Sequence, residues 1–226
     1  MSKSKEEQLW DACNSGDIDV VRHLANDPAV NVNWADPGGH RTALFIACLH
    51  GRGSIVDVLL KSPEIDVNKT QTEKVSPFFI ACAHGHQEMV LRLQKDLRID
   101  VNQPNDGNCT PLWHASLTGL LPIVECLLAS GRNVNTQARS MAGTAAWNDK
   151  TPVEMARRPG IRGMSDPDET EEEFATKKHS GPLIATLLDS FERNPQQVRA
   201  QLRKKLDFPR KQFLFSFLML ILDALS

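Results

Sequence analysis

The chain is short of nearly every feature that marks a catalyst, a secreted protein or a nucleic-acid binder. Its 226 residues carry a formal net charge of only −2. No stretch mixes dense basic residues with aromatics, so neither the long-range attraction nor the stacking groove that nucleic acid requires is present, and nucleic acid is excluded as an expected partner. The opening MSKSKEEQLW is charged and lacks the apolar stretch of a secretory signal, which predicts a cytoplasmic chain with access to the nucleus. Five cysteines show no paired short spacing, as expected where thiols stay reduced. Phosphate loops ending in Gly-Lys-Ser/Thr, Gly-x-Ser-x-Gly, His-Glu-x-x-His and Rossmann glycine patterns are all missing. Those absences predict no catalytic residue, no resident metal and no cofactor. What is present is enough apolar material, 41% of residues, to bury a core.

The apolar material is periodic. RTALFIACLHG begins at Arg41, VSPFFIACAHG at Val75 and CTPLWHASLTG at Cys109, so consecutive copies stand 34 residues apart. Each copy continues alike, through SIVDVLLKSPEIDVN, EMVLRLQKDLRIDVN and LPIVECLLASGRNVN, to close on Asn68, Asn102 and Asn135. A weaker copy precedes them at LWDACNSGDIDVVRHLANDPAVNVN, and a degraded one begins at KTPVEMARRPG, which makes five units. A fixed period of this length predicts stacked supersecondary units rather than a single globule.

One unit can be read from its residues. Ser76-Pro77, Thr110-Pro111 and Thr151-Pro152 are caps followed by the first helical position, where the missing proline N–H costs nothing. Gly51, Gly85 and Gly119 then close a short helix in the left-handed conformation. Ile55, Val56, Leu59 and Leu60, matched by Ile123, Val124, Leu127 and Leu128, draw the apolar stripe of a second helix. Polar, turn-rich segments such as QPNDGN lead to the next unit.

These residues resemble the ankyrin-repeat pattern, seen most fully in GNCTPLWHASLTG followed by PIVECLLASGRNVN. The resemblance covers about residues 6 to 156 and 182 to 188. It implies an all-α, ankyrin-repeat α-solenoid of helix-turn-helix units with projecting β-turn or hairpin loops, completed by C-terminal capping helices. The implied domain is 1–194, with repeats at about 6–33, 41–68, 75–102, 109–135 and 150–194, and 195–226 forms a C-terminal helix and apolar tail. One departure is plain: where the family usually has histidine after Thr-Pro-Leu, this chain has Trp10, Phe45, Phe79 and Trp113, with Glu154 in the last unit. Stacked aromatics are expected to replace the histidine's hydrogen bonds by burial.

The same register explains the residues that look like chemistry. Cys82, His84, His86 and Glu88 crowd into SPFFIACAHGHQEMV, yet His86 takes the family's Gly-His position and Glu88 opens the outer helix. Tetrahedral zinc needs ligands converging from separate segments, so no metal is expected. Cys13, Cys48 and Cys82 each follow the small alanine of an inner helix and are read as packing residues. Units about 10 Å apart exceed the roughly 7 Å limit for a disulfide.

The resemblance implies a non-catalytic protein-protein interaction module, an adaptor or scaffold that binds other proteins with loop tips and the concave face of a monomeric solenoid. Carried over by register, the partner-binding residues are Arg41, Glu73, Val75, Asp106 and Cys109 at the tips. On the inner helices they are Ile46, His50, Ile80, His84, His114 and Leu117. Two segments interrupt the pattern. ARSMAGTAAWN lengthens the spacing from Thr110 to Thr151 by seven residues, and the acidic insertion 160–181, with Asp166, Asp168, Glu169, Glu171, Glu172 and Glu173, is expected to be solvated. Ser165 and Thr170 are candidate phosphorylation sites in it. Val198, Leu202 and Leu206 mark a helix expected to cover the last unit. The tail from Phe213 to Leu222 is apolar but shorter than the roughly 17 residues that span a bilayer. Burial of that tail is the favoured expectation. The alternative function is a peripheral membrane adaptor held by the tail and its basic neighbours Arg203, Lys204, Lys205, Arg210 and Lys211.

Overall fold

The computed structural model describes residues 3–141, 148–158 and 170–207, and among them runs a series of helices with no strand. They are α1 (Lys5–Ser15), α2 (Ile18–Leu24), α3 (Ala43–Leu49), α4 (Gly53–Leu59), α5 (Pro77–Ala83) and α6 (Gln87–Leu93), then α7 (Pro111–Leu117), α8 (Leu121–Ala129), α9 (Pro152–Ala156), α10 (Glu171–Arg193) and α11 (Pro195–Lys205). Thr42, Ser76, Thr110 and Thr151 each accept the N–H of the residue three positions on, as N-caps of the inner helices α3, α5, α7 and α9. Gly51, Gly85 and Gly119 close α3, α5 and α7 at φ of 65°, 68° and 71°, the region glycine enters without a Cβ penalty.

Helices of seven residues are marginal alone, so packing must hold them. Inner helices stack in the order α1, α3, α5, α7, α9, and outer helices in the order α2, α4, α6, α8. The layers meet through two repeating columns. Leu9, Leu44, Phe78, Leu112 and Val153 are buried from the inner helices, while Val21, Val56, Val90 and Val124 are buried from the outer ones. Ala12, Ala47, Ala81 and Ala115, each followed by Cys13, Cys48, Cys82 or Ser116, fill the narrow space between neighbouring inner helices. The fold is the all-helical repeat solenoid that the period predicts.

The closing asparagines do more than end a unit. Asn33, Asn68 and Asn102 each donate Nδ2 to the next unit's loop, to the carbonyls of Glu64, Arg98 and Asn133 at 2.6–2.7 Å. Their Oδ1 atoms accept the N–H groups of Asp66, Asp100 and Asn135 at 2.8 Å. Asn68→Ala removes two bonds and should cost about 1–3 kcal/mol at about 0.5–1.5 each. A urea midpoint unchanged by that substitution would show that the bridges are decoration.

Three expectations need correction here. The acidic insertion is not wholly a solvated loop: residues 171–181 are the first half of α10, because EEEFATKKHS is good helix-forming sequence. Pro182, where the ankyrin resemblance resumes, lies inside that helix. Residues 159–169, with Ser165, Asp166, Asp168 and Glu169, lie outside the described residues. Second, α11 covers α8 of the fourth unit as well as the last unit. It packs along α8 and against α10, with Val198 and Leu202 buried. Its cationic side chains reach the carbonyl end of α8: Arg203 Nε donates to Ala129 at 2.9 Å and Arg199 to Arg132 at 3.2 Å, while Lys205 pairs with the buried Glu125 at 2.6 Å. The third concerns the aromatic column. Phe45, Phe79 and Trp113 are buried, but the ring contacts among the described residues are Phe79 with His114 and His84 with His86. The tryptophans keep a polar handle instead: Nε1 of Trp10 donates to the Arg41 carbonyl at 3.0 Å and that of Trp113 to Lys150 at 2.8 Å. Each indole thus bonds the backbone of the following unit. The apolar tail from Phe213 to Leu222 lies outside the described residues.

Candidate partner-binding face

The loop tips form one continuous edge. Thr72 N–H donates to the Gly39 carbonyl at 3.3 Å, Asp106 N–H to Glu73 at 3.1 Å, and Met141 N–H to Gly107 at 2.7 Å. Donors and acceptors advance by one unit each time, so the projecting turns are laced together and held at a common height. Within each turn a non-glycine residue takes the left-handed conformation: His40, Lys74 and Asn108, at φ of 54°, 56° and 55°.

That reversal decides where the next side chain points. Val75 and Cys109 follow it and turn inward, exposed to only 7% and 5%. Neither is available at a tip, which corrects their assignment to the binding face. Arg41 stands in the same place but carries a charge that cannot be buried alone. Its guanidinium lies 5.7 Å over the Trp10 ring and bonds Asp36 at 3.3 Å, while its N–H donates to Asp36 Oδ1 at 2.7 Å. Partial burial pushes the Asp36 carboxyl up, and the bonds from Arg41 and Gly39 outweigh it, so the group sits below its ordinary value. Arg41 is half-exposed and already committed. Glu73 and Asp106 are exposed, and Asp106 pairs with Lys74 at 3.5 Å. Lys74, exposed between two predicted residues, and Met141, 72% exposed at the end of the edge, were not predicted. The 34-residue spacing of the tips was the signal for Lys74, whereas the seven-residue insertion hid Met141.

The inner-helix positions divide in the same way. Ile46 is exposed to 1% and belongs to the core, a second correction; it packs within α3, whose flanks are covered by α1 and α5. Ile80 and Leu117 are half-buried, and Leu117 leans on Cys109, Trp113 and Met155. His50 and His84 are exposed; His50 Nε2 lies 2.9 Å from Asn14 Oδ1, and the rings of His84 and His86 stack at 5.9 Å. Burial, then His86 and His50, hold the His84 imidazole below its ordinary value. His114 is half-buried by surface, yet its Nδ1 is enclosed and has no hydrogen-bond partner.

No chemistry assembles from these groups. Cys82 is sealed in the core while His84 faces outward, and His86 Nε2 is 2.8 Å from the Leu49 carbonyl, so the three do not converge. Among the described residues no cluster of three or more His, Cys, Asp or Glu side chains is placed to hold a metal ion. The thiols are poor nucleophiles: burial pushes Cys13 up to about 12 and Cys109 up to about 11. Among the described residues no helix is long and apolar enough to cross a membrane.

The family model described as ankyrin repeats matches residues 2–71 and 63–138, with three copies. The chain belongs to the ankyrin-repeat family. No match among curated proteins accompanies that result. Ankyrin repeats are generally protein–protein interaction modules, and the ankyrin match ends close to Met141, before α9 and the long α10. Helices α9, α10 and α11 lie beyond the matched residues.

Proposed function

We propose that the chain is a non-catalytic adaptor that binds a partner protein along its tips and inner-helix face. The observation that carries this reading is the laced edge of tips: three N–H to carbonyl bonds hold Glu73, Lys74 and Asp106 in fixed spacing beside the half-buried Ile80 and Leu117 and the exposed His50 and His84. A rigid row of charges next to a shallow apolar strip loses little entropy on binding, and a solenoid presents it as one extended concave surface. Arg41 supports the first tip through Asp36 and Trp10 rather than offering a free charge. A monomer in a reducing cytoplasm or nucleus fits five cysteines that are all free and buried.

The test is affinity capture with the full chain, compared with Glu73→Lys/Asp106→Lys at the tips and Lys61→Glu/Lys95→Glu on exposed positions outside them. Loss of a captured protein from the tip variant alone, with both variants melting like the wild type, is the expected result. Equal capture by the tip variant and loss from the other would overturn the reading.

A further inference from the structure

Helix α10 spans 23 residues, where the other outer helices α2, α4, α6 and α8 span 7–9. Its second half is an ordinary outer helix, with Ile184, Ala185, Leu188 and Phe191 buried in the main core. Its first half is different. Phe174 and Lys177 are half-buried, Ser180 and Gly181 are buried at the junction, and Glu172, Ala175, Thr176, Lys178 and His179 are exposed. Gly181 and Pro182 separate the halves. A proline inside a helix lacks the N–H for the bond to the carbonyl four residues back and crowds that turn, so the two halves are poorly coupled.

The first half lies across the fourth unit. A Cβ built on Gly181 would stand 2.6 Å from the Ala156 carbonyl oxygen, which presses the joint against the end of α9. Further back, the Cα of Lys177 is 2.7 Å from where a Cβ on Gly119 would be. Beneath it lies His114 on α7, edge-on to Phe79 at 5.4 Å, its Nδ1 enclosed and unbonded.

We infer that residues 171–180 are a strap over the fourth unit's inner helix, hinged at Gly181–Pro182, whose opening uncovers His114 and the Gly119 turn. Opening adds His114 and the Gly119 turn to the part of the fourth unit that already belongs to the concave face. That consequence rests on the adaptor reading; the opening itself is a property of the chain alone and is tested without a partner.

His114 is the latch. An enclosed, unbonded Nδ1 is tolerable only while the imidazole is neutral. Lys177 of α10 and His84 of α5 are the charged or titratable groups that act on it. From α8, Glu125 is engaged by Lys205; from α9, Glu154 is engaged by Thr151, Arg157 by Asp189, and Arg158 is exposed. Burial first, then Lys177 and His84, lowers the imidazole to about 4. The closed strap therefore disfavours the protonated ring. As pH falls below about 6.5 the open form takes up the proton first, so acid favours opening until about pH 4.

Hydrogen exchange of the full chain, corrected for intrinsic rates, tests this. Amides of 174–180 should exchange roughly 100-fold faster than those of 184–193 at pH 7, and Pro182→Ala, which restores a helical bond, should close most of that gap. At pH 5 the gap should widen by roughly tenfold or more, and His114→Leu should abolish the widening. One common protection level across 174–193, or a gap indifferent to Pro182→Ala, would overturn the strap. Widening that survives His114→Leu would overturn the latch.

Discussion

Trp113→Ala is expected to lower stability by about 3–5 kcal/mol, the range for deleting a buried large aromatic, and to melt the carboxy-terminal units ahead of the rest. Trp113 is exposed to only 1%, joins Cys109 and Met155 in a cluster of its own, and donates Nε1 to the Lys150 carbonyl at 2.8 Å. It therefore ties α7 to the start of α9 by volume and by a directed bond. In a solenoid each unit is held by its neighbours, so damage at one interface splits the unfolding transition instead of shifting it whole. Urea titration followed by circular dichroism should show two steps in the variant where the wild type shows one. Trp113→Phe separates the causes, because it retains most of the volume and orphans the Lys150 carbonyl, with an expected loss of about 1–2 kcal/mol. A single transition with a loss under about 1 kcal/mol for the alanine variant would sink this account of the interface.

Gln94→Leu should act in the opposite direction. Gln94 caps α6 and is exposed to 8%, and neither its Nε2 nor its Oε1 has a partner. Residues one unit away on either side are Leu60 and Leu128, so an amide occupies a position that the repeat gives to an apolar group. Burying an unpaired amide costs about 1–3 kcal/mol, and a leucine there returns it while adding packing. The midpoint of thermal unfolding should rise by about 2–4 °C for each kcal/mol gained in a chain of this size. A lower midpoint in Gln94→Leu would mean that the amide is satisfied and that the repeat register misjudges its surroundings.

Much of the architecture was legible because it is written in local chemistry repeated at a fixed spacing. Thr110-Pro111 states where a helix begins, Gly119 where it ends, and the 34-residue recurrence of both states that the units stack. The corrections have a different origin. Val75 and Cys109 look like tip residues by register, but left-handed Lys74 and Asn108 turn them inward, a backbone choice with little signature in residue type. Trp10 and Trp113 look like plain packing, yet each finds a carbonyl that only the next unit can supply. Pro182 looks like a helix start and is a helix interior, since the residues before it are helix-forming and have α7 and α9 to lie against.

Ile46, Ile80 and His114 occupy one position of the repeat, and the sequence by itself determined that they share a face, because helical period and repeat length are properties of the chain read locally. Their environments were decided by the tertiary structure: Ile46 sealed at 1%, Ile80 half-covered, His114 enclosed at Nδ1 beneath Lys177. Exposure depends on which distant segments arrive to cover a surface, and α10 arrives from more than fifty residues along the chain, beyond the reach of any local rule.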